Sequence, residues 1–132
     1  MWHVLEHVSD LIQQFIELQR LIKEDGKLVL ALPNFKSYDA LYYKENWAAW
    51  DVPRHLYHFN KQVISQIASN YGFKLLESLP MKWDSYYVSL LSEQSKGSVL
   101  SILRASIIGF VSNRKASKSG EFSSKIYIFI KK

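Results

Sequence analysis

Leu11, Ile12, Phe15, Ile16, Leu18, Leu21 and Ile22 recur at spacings of three and four residues, which predicts a helix with one apolar stripe. Ser9 or Asp10 precedes the stripe as an N-cap, and Gly26 follows it as a stop signal. Leu28–Leu32 is then a continuous apolar run ended by Pro33-Asn34, the pattern of a strand buried on both faces as in parallel sheets. Farther on, Asn60 caps a second helix whose Val63, Ile64, Ile67, Ala68 and Tyr71 share a face before Gly72. Phe73–Leu79 predicts a strand closed by Pro80, and Lys125–Ile130 a strongly β-prone last strand. Tyr86–Leu91 could open a further helix, Ser98–Val111 predicts a third amphipathic helix, and Arg114–Ser119 a basic loop.

A helix feeding a buried strand through a glycine turn is half of a βαβ unit, so the chain is α/β. Its 132 residues predict one domain, 1–132, with 81–120 as a helical or loop insertion before the last strand. Hydrophobic content of 48% with 22% charged residues is ordinary for a globular protein and argues against disorder. The absence of cysteine excludes disulfides, thiolate metal sites and cysteine nucleophiles, and fits a reducing, cytoplasmic setting. No signal peptide is visible, and Val99–Val111 is too short and polar to span a bilayer. The net charge of +5 gathers near the C-terminus without a nucleic-acid motif, so nucleic acid is not an expected partner. Ser98–Val111 could be a lid, a membrane-surface contact or a dimer face, and its limited basic content argues against a strong membrane role.

One segment follows neither period. Trp50–Phe59 packs Asp51, Arg54, His55 and His58 around Pro53, among aromatic and apolar side chains. Loops on a rigid scaffold are where binding and catalytic groups concentrate; the structural alternative is that Arg54 simply pairs with Asp51. Arg54 presents a fork for a carboxylate or phosphate, and His55 or His58 could accept a proton near neutral pH. Asn34, at the carboxyl end of a buried strand, offers donors and an acceptor to a polar substrate or else closes a turn. His3, Glu6 and His7 fall on one face of a helical turn, where they could hold a divalent ion, cap the next helix or brace Arg54. Trp83, Tyr86 and Tyr87 could wall a pocket or fill core.

His3-Val4-Leu5-Glu6-His7-Val8, Gly26-Lys27-Leu28, Leu32-Pro33-Asn34, Pro53-Arg54-His55-Leu56 and Tyr71-Gly72-Phe73 stand in the order seen in class I S-adenosylmethionine-dependent methyltransferases. The chain resembles the type-23, ubiquinone-methylase-like branch over essentially its whole length, but only the C-terminal half of that fold. The resemblance implies a partial Rossmann-like fold: a three-stranded mixed sheet in the family's order five, seven, six, with flanking helices. It implies Trp2 and His3 on the cofactor side, His3 near the methyl donor, and His3, Glu6 and His7 as the place where some relatives hold a divalent ion. In such a fold the chemistry of Asn34, Arg54, His58, Tyr86 and Tyr87 suits a substrate wall, with His55 as candidate base and, from the resemblance, His3 as a second catalytic candidate. The family's glycine-rich turn has no counterpart among the five glycines, at 26, 72, 97, 109 and 120.

The expected function is therefore the C-terminal portion of a methyltransferase for a small molecule, binding S-adenosylmethionine weakly or not at all and inactive alone. The alternative is a non-catalytic, self-associating module, a homo-oligomer or a partner of the missing N-terminal half, joined through the open edge of Leu28–Leu32.

Overall fold

A computed structural model describes all 132 residues. Helix α1 (Leu11–Leu21) starts where the Asp10 carboxylate accepts the Gln13 amide proton, and it lays Phe15 on the sheet. Strand β1 (Lys27–Pro33) follows, then the short α2 (Tyr38–Tyr43) and two 3-10 turns at Lys44–Asn46 and Ala48–Trp50. Asn60 caps α3 (Lys61–Asn70) through the Val63 amide, and Gly72, at φ 80°, turns the chain into β2 (Phe73–Met81). Helices α4 (Asp84–Ser95) and α5 (Ser101–Ser119) fill the interval before β3 (Ser124–Lys131).

The strand order is β1-β3-β2, the five, seven, six order expected. The β-prone β3 takes the centre and pairs antiparallel with both neighbours. The three strands are thus antiparallel rather than mixed, and parallel pairing at β1 is limited to an isolated bridge from Trp2 to Ala31. Pro80 is tolerated because β2 is an edge strand. Leu28, Leu30, Leu32, Tyr127 and Phe129 close with Phe15, Phe59, Ile64 and Phe73 into one apolar core.

Two expectations change. Arg114–Ser119 is not a loop: it is the last turns of α5, closed by Gly120 at φ 78°. Ser106, Ser117 and Ser119 donate their hydroxyls to carbonyls four residues back, so serines that read as breakers are absorbed into the helix. The edge of β1 is also less open than the sequence implies. The Met1 ammonium donates to the Val29 carbonyl, the Ala31 amide to Met1, and the His3 amide to Ala31.

A smaller core of Ala40, Tyr43, Trp47, Ala49, Val88 and Ile108 lies under α4 and α5. Its centre is polar. The fully buried Asp39 carboxylate accepts from Trp47 Nε1 at 2.9 Å and from the Ser112 and Ser123 hydroxyls at 2.6 Å each. One side chain thus ties α2, α5 and the approach to β3 together.

Candidate functional site

The carboxyl end of β1 opens into a cavity of about 360 Å³. Pro33 forms its floor, Trp2 and His3 one side, Ala48, Ala49 and Asp51 with Arg54 and His55 the second, and Asp84, Tyr87, Val88 and Leu91 of α4 the third. That is where open α/β sheets place their ligands.

His3 is the most constrained group there. Its backbone has φ 49°, rare for a residue with a Cβ, because the chain must turn sharply between the Ala31 bridge and the Leu5–His7 turn. Its Nδ1 lies 3.2 Å from Glu6 Oε1 and its Nε2 3.3 Å from Asp84 Oδ2. Carboxylates only accept, so both ring nitrogens donate and the ring is an imidazolium. The Asp84 hydrogen bond, then that to Glu6, raises its pKa to about 9 against the opposing effect of burial.

His55 is held differently. Its Nδ1 donates to the Ala49 carbonyl at 2.8 Å, and its Nε2 lies 3.8 Å from Asp51 Oδ2. Asp51 sits at φ 41° and binds Arg54 through Nη2 at 2.6 Å and Nε at 3.0 Å. The loop is fastened by main chain: the Leu56 and Tyr57 amides donate to the Glu6 carbonyl, and His7 Nδ1 donates to the Arg54 carbonyl. His7 and His55 meet edge to face, with centroids 4.6 Å apart. Glu6, His7 and His55 each offer a ligand atom, and these lie within 4.8 Å of one another. Glu6 Oε2 is buried without a hydrogen-bond partner, so the donor set fits a divalent ion. His3, whose nitrogens both face carboxylates, stands outside that set.

The structure therefore brings Trp2, His3, Arg54, His55 and Tyr87 to one cavity. Asn34 is fully buried; its amide donates to Glu121 and the Phe122 carbonyl, and its oxygen accepts from the Lys36 amide. His58 donates to the Trp50 carbonyl at 2.9 Å, and Tyr86 faces Trp83 and Phe110 instead. Asp84 was not foreseen. A lone Asp opening a helix reads as a favourable dipole partner, and nothing near it in sequence points to His3.

Residues 1–78 match the family described as a methyltransferase domain. This chain belongs to that family, as a class I methyltransferase fold. Among solved structures it is similar to a putative sarcosine dimethylglycine methyltransferase from Galdieria sulphuraria, at 12% identity and TM-score 0.52, covering 96% of this chain and 49% of that one. It is similar to Haemonchus contortus phosphoethanolamine N-methyltransferase 2, solved with phosphomonomethylethanolamine and S-adenosylhomocysteine, at 18% identity and TM-score 0.50 (97% and 32% covered). The [4+2]-cyclase SpnF matches at 13% identity and TM-score 0.54 (96% and 46%), so the fold alone does not dictate the reaction. The chain spans half or less of each of these structures. No curated protein matches its sequence.

Proposed function

We propose that this chain forms the substrate-side part of an S-adenosylmethionine-dependent methyltransferase for a small molecule, with the donor's nucleoside held mainly by residues outside it. The observation that carries this reading is the convergence of Trp2, His3, Asp84, Arg54, His55 and Tyr87 on one cavity at the end of β1. Its volume is within the range of small-molecule sites.

The half-exposed indole of Trp2, beside His3, would face the methyl-bearing end of the donor. When bound, S-adenosylmethionine supplies an electrophilic methyl group. His55 Nε2 takes the proton of an oxygen or nitrogen acceptor, and Asp51 steadies the imidazolium so formed. The Arg54 guanidinium attracts an anionic group of the acceptor, and Tyr87 closes the opposite side. Asn34 and His58 support the loop, since their hydrogen bonds are spent within the protein. Calorimetric titration with S-adenosylmethionine should show no saturable binding to the 132-residue chain, and binding should appear when a strand and glycine-rich turn are fused ahead of Met1. Micromolar binding by the chain alone would overturn the division of labour.

The unpartnered Glu6 Oε2 favours a second reading, a divalent ion on Glu6, His7 and His55. Both imidazoles commit Nδ1 to a carbonyl, a hydrogen bond that fixes the ring and leaves Nε2 as the nitrogen to meet a metal. Base and ligand would use the same His55 nitrogen, so the two roles exclude each other. Zinc titration followed by histidine proton NMR separates them: shifts at His7 and His55, with His3 unmoved, assign the ion. A self-associating module is a weaker reading, because Met1–His3 already pair with the edge of β1; a concentration-dependent dimer in sedimentation would revive it.

A further inference from the structure

The buried and exposed faces of α5 divide sharply. Ala105, Ile108, Gly109, Ser112 and Ala116 are buried against the rest of the fold. On the opposite face Leu103, Ile107 and Phe110 follow at helical spacing, each more than half exposed. Arg114 and Lys118 continue that row for two more turns. Trp83, at 83% exposure, joins Phe110, Lys82 and Arg114 around one shallow depression. At the α4–α5 connection Val99 is 97% exposed.

The charge is as one-sided as the apolar surface. Between Glu93 and Glu121 the chain carries five basic residues and no acidic one. Arg114 and Lys118 reach no carboxylate within ion-pair distance. The extra turns of α5 matter here, because they place these cations on the helix surface in line with the apolar row.

We propose that this face is a docking surface for an anionic lipid membrane, on which α5 lies flat with Trp83, Leu103, Ile107 and Phe110 sunk into the headgroup boundary. Interfacial helices bind by apolar burial plus attraction of basic residues to anionic headgroups, and both ingredients sit on one face here. A second copy suits it less, since the stretch between Glu93 and Glu121 that it would present carries no acidic residue to meet Arg114 and Lys118. The helix rests on the surface without spanning, as no helix is long and apolar enough to cross a membrane. Because α4 contributes Tyr87 and Leu91 to the cavity, docking would hold the cavity wall next to the bilayer.

The test is sedimentation of the full chain with vesicles of phosphatidylcholine alone or mixed with phosphatidylglycerol. Binding should require the anionic lipid and weaken with added salt. The exposed triple variant Leu103→Ser, Ile107→Ser, Phe110→Ser, with circular dichroism unchanged, should bind about tenfold or more weakly. Arg114→Gln with Lys118→Gln should lose most of the preference for anionic lipid. Equal pelleting with both vesicle types, no pelleting, or unaltered binding by the folded variants overturns the proposal. So does a dimer abolished by the serine variant, or retention of an oligonucleotide, in the absence of vesicle binding.

Discussion

The sheet side and the helical side of this molecule are stabilised by different means. Around the sheet, Phe15, Phe73, Tyr127 and Phe129 are wholly buried with Leu5, Leu30, Leu32 and Ile64, and the packing is apolar almost throughout. Under α4 and α5 the apolar cluster is smaller, and Ser85, Ser89, Ser92 and Ser112 are buried beside it, Ser112 bonded to Asp39. Dense apolar packing tolerates exchange of similar volumes, whereas a polar centre depends on each donor keeping its acceptor. The cavity lies between these regions, with β1 for its floor and α4 for a wall.

The largest expected effect is on the sheet side. Phe129→Ala should cost about 4 kcal/mol, from lost burial and the void left in the apolar core it shares with Phe15, Ile64 and Phe73. Val88→Ala in the helical core should cost about 1.5 kcal/mol. Urea unfolding followed by circular dichroism compares them, and equal losses would erase the distinction.

Asp39→Ala comes next, at about 3 kcal/mol, because it strands the Trp47 indole N–H and two buried hydroxyls at once. The loss should appear as exposure of Trp47, read by its fluorescence, before the sheet signal falls. Simultaneous loss of both signals would mean that the two regions unfold as one unit. Gly109→Ala is a smaller perturbation of the same side. Its Cβ would stand 2.6 Å from the Tyr86 ring and 3.0 Å from the Tyr86 Cα, so α4 and α5 must separate. A net loss of about 1 kcal/mol is expected, since alanine's better helix propensity offsets part of the clash. A stability gain would show that the helices have slack.

Legibility in the sequence follows the same division. The helix from Leu11, the capped helix from Asn60 and all three strands carry unmixed periodicity and clear caps, and each forms close to where the pattern puts it. The strand order rested on family resemblance, since no local pattern tells β1 to pair with β3 across some ninety residues. On the helical side the signal is diluted. The serines of α5 look like breakers until their hydroxyls are seen bonding back along the helix. Asp39 looks like an ordinary residue of a helix's first turn, because Ser112 and Ser123 lie far away in sequence. Of the site, Arg54, His55 and His3 announced themselves by density of chemistry. Asp84 depends on tertiary placement and had no sequence signal.

The finest test uses the one charge pair that joins the two sides, His3 beside β1 and Asp84 of α4. His3 titrates near 6.5 when unfolded and at about 9 when folded, so the folded state holds its proton more tightly. That preference stabilises the fold fully below pH 6.5 and is lost as the pH rises through about 9. With the side chain about one-third exposed, solvent screening reduces the contribution to on the order of 1 kcal/mol. Asp84→Asn removes the larger of the two causes and leaves Glu6. The His3 ring should then titrate below 9 in a proton NMR series, and stability should decline less between pH 6.5 and 9 than in the parent chain. An unmoved titration would place the proton's hold on Glu6 alone, and α4 would then contribute shape to the cavity wall but no charge to His3.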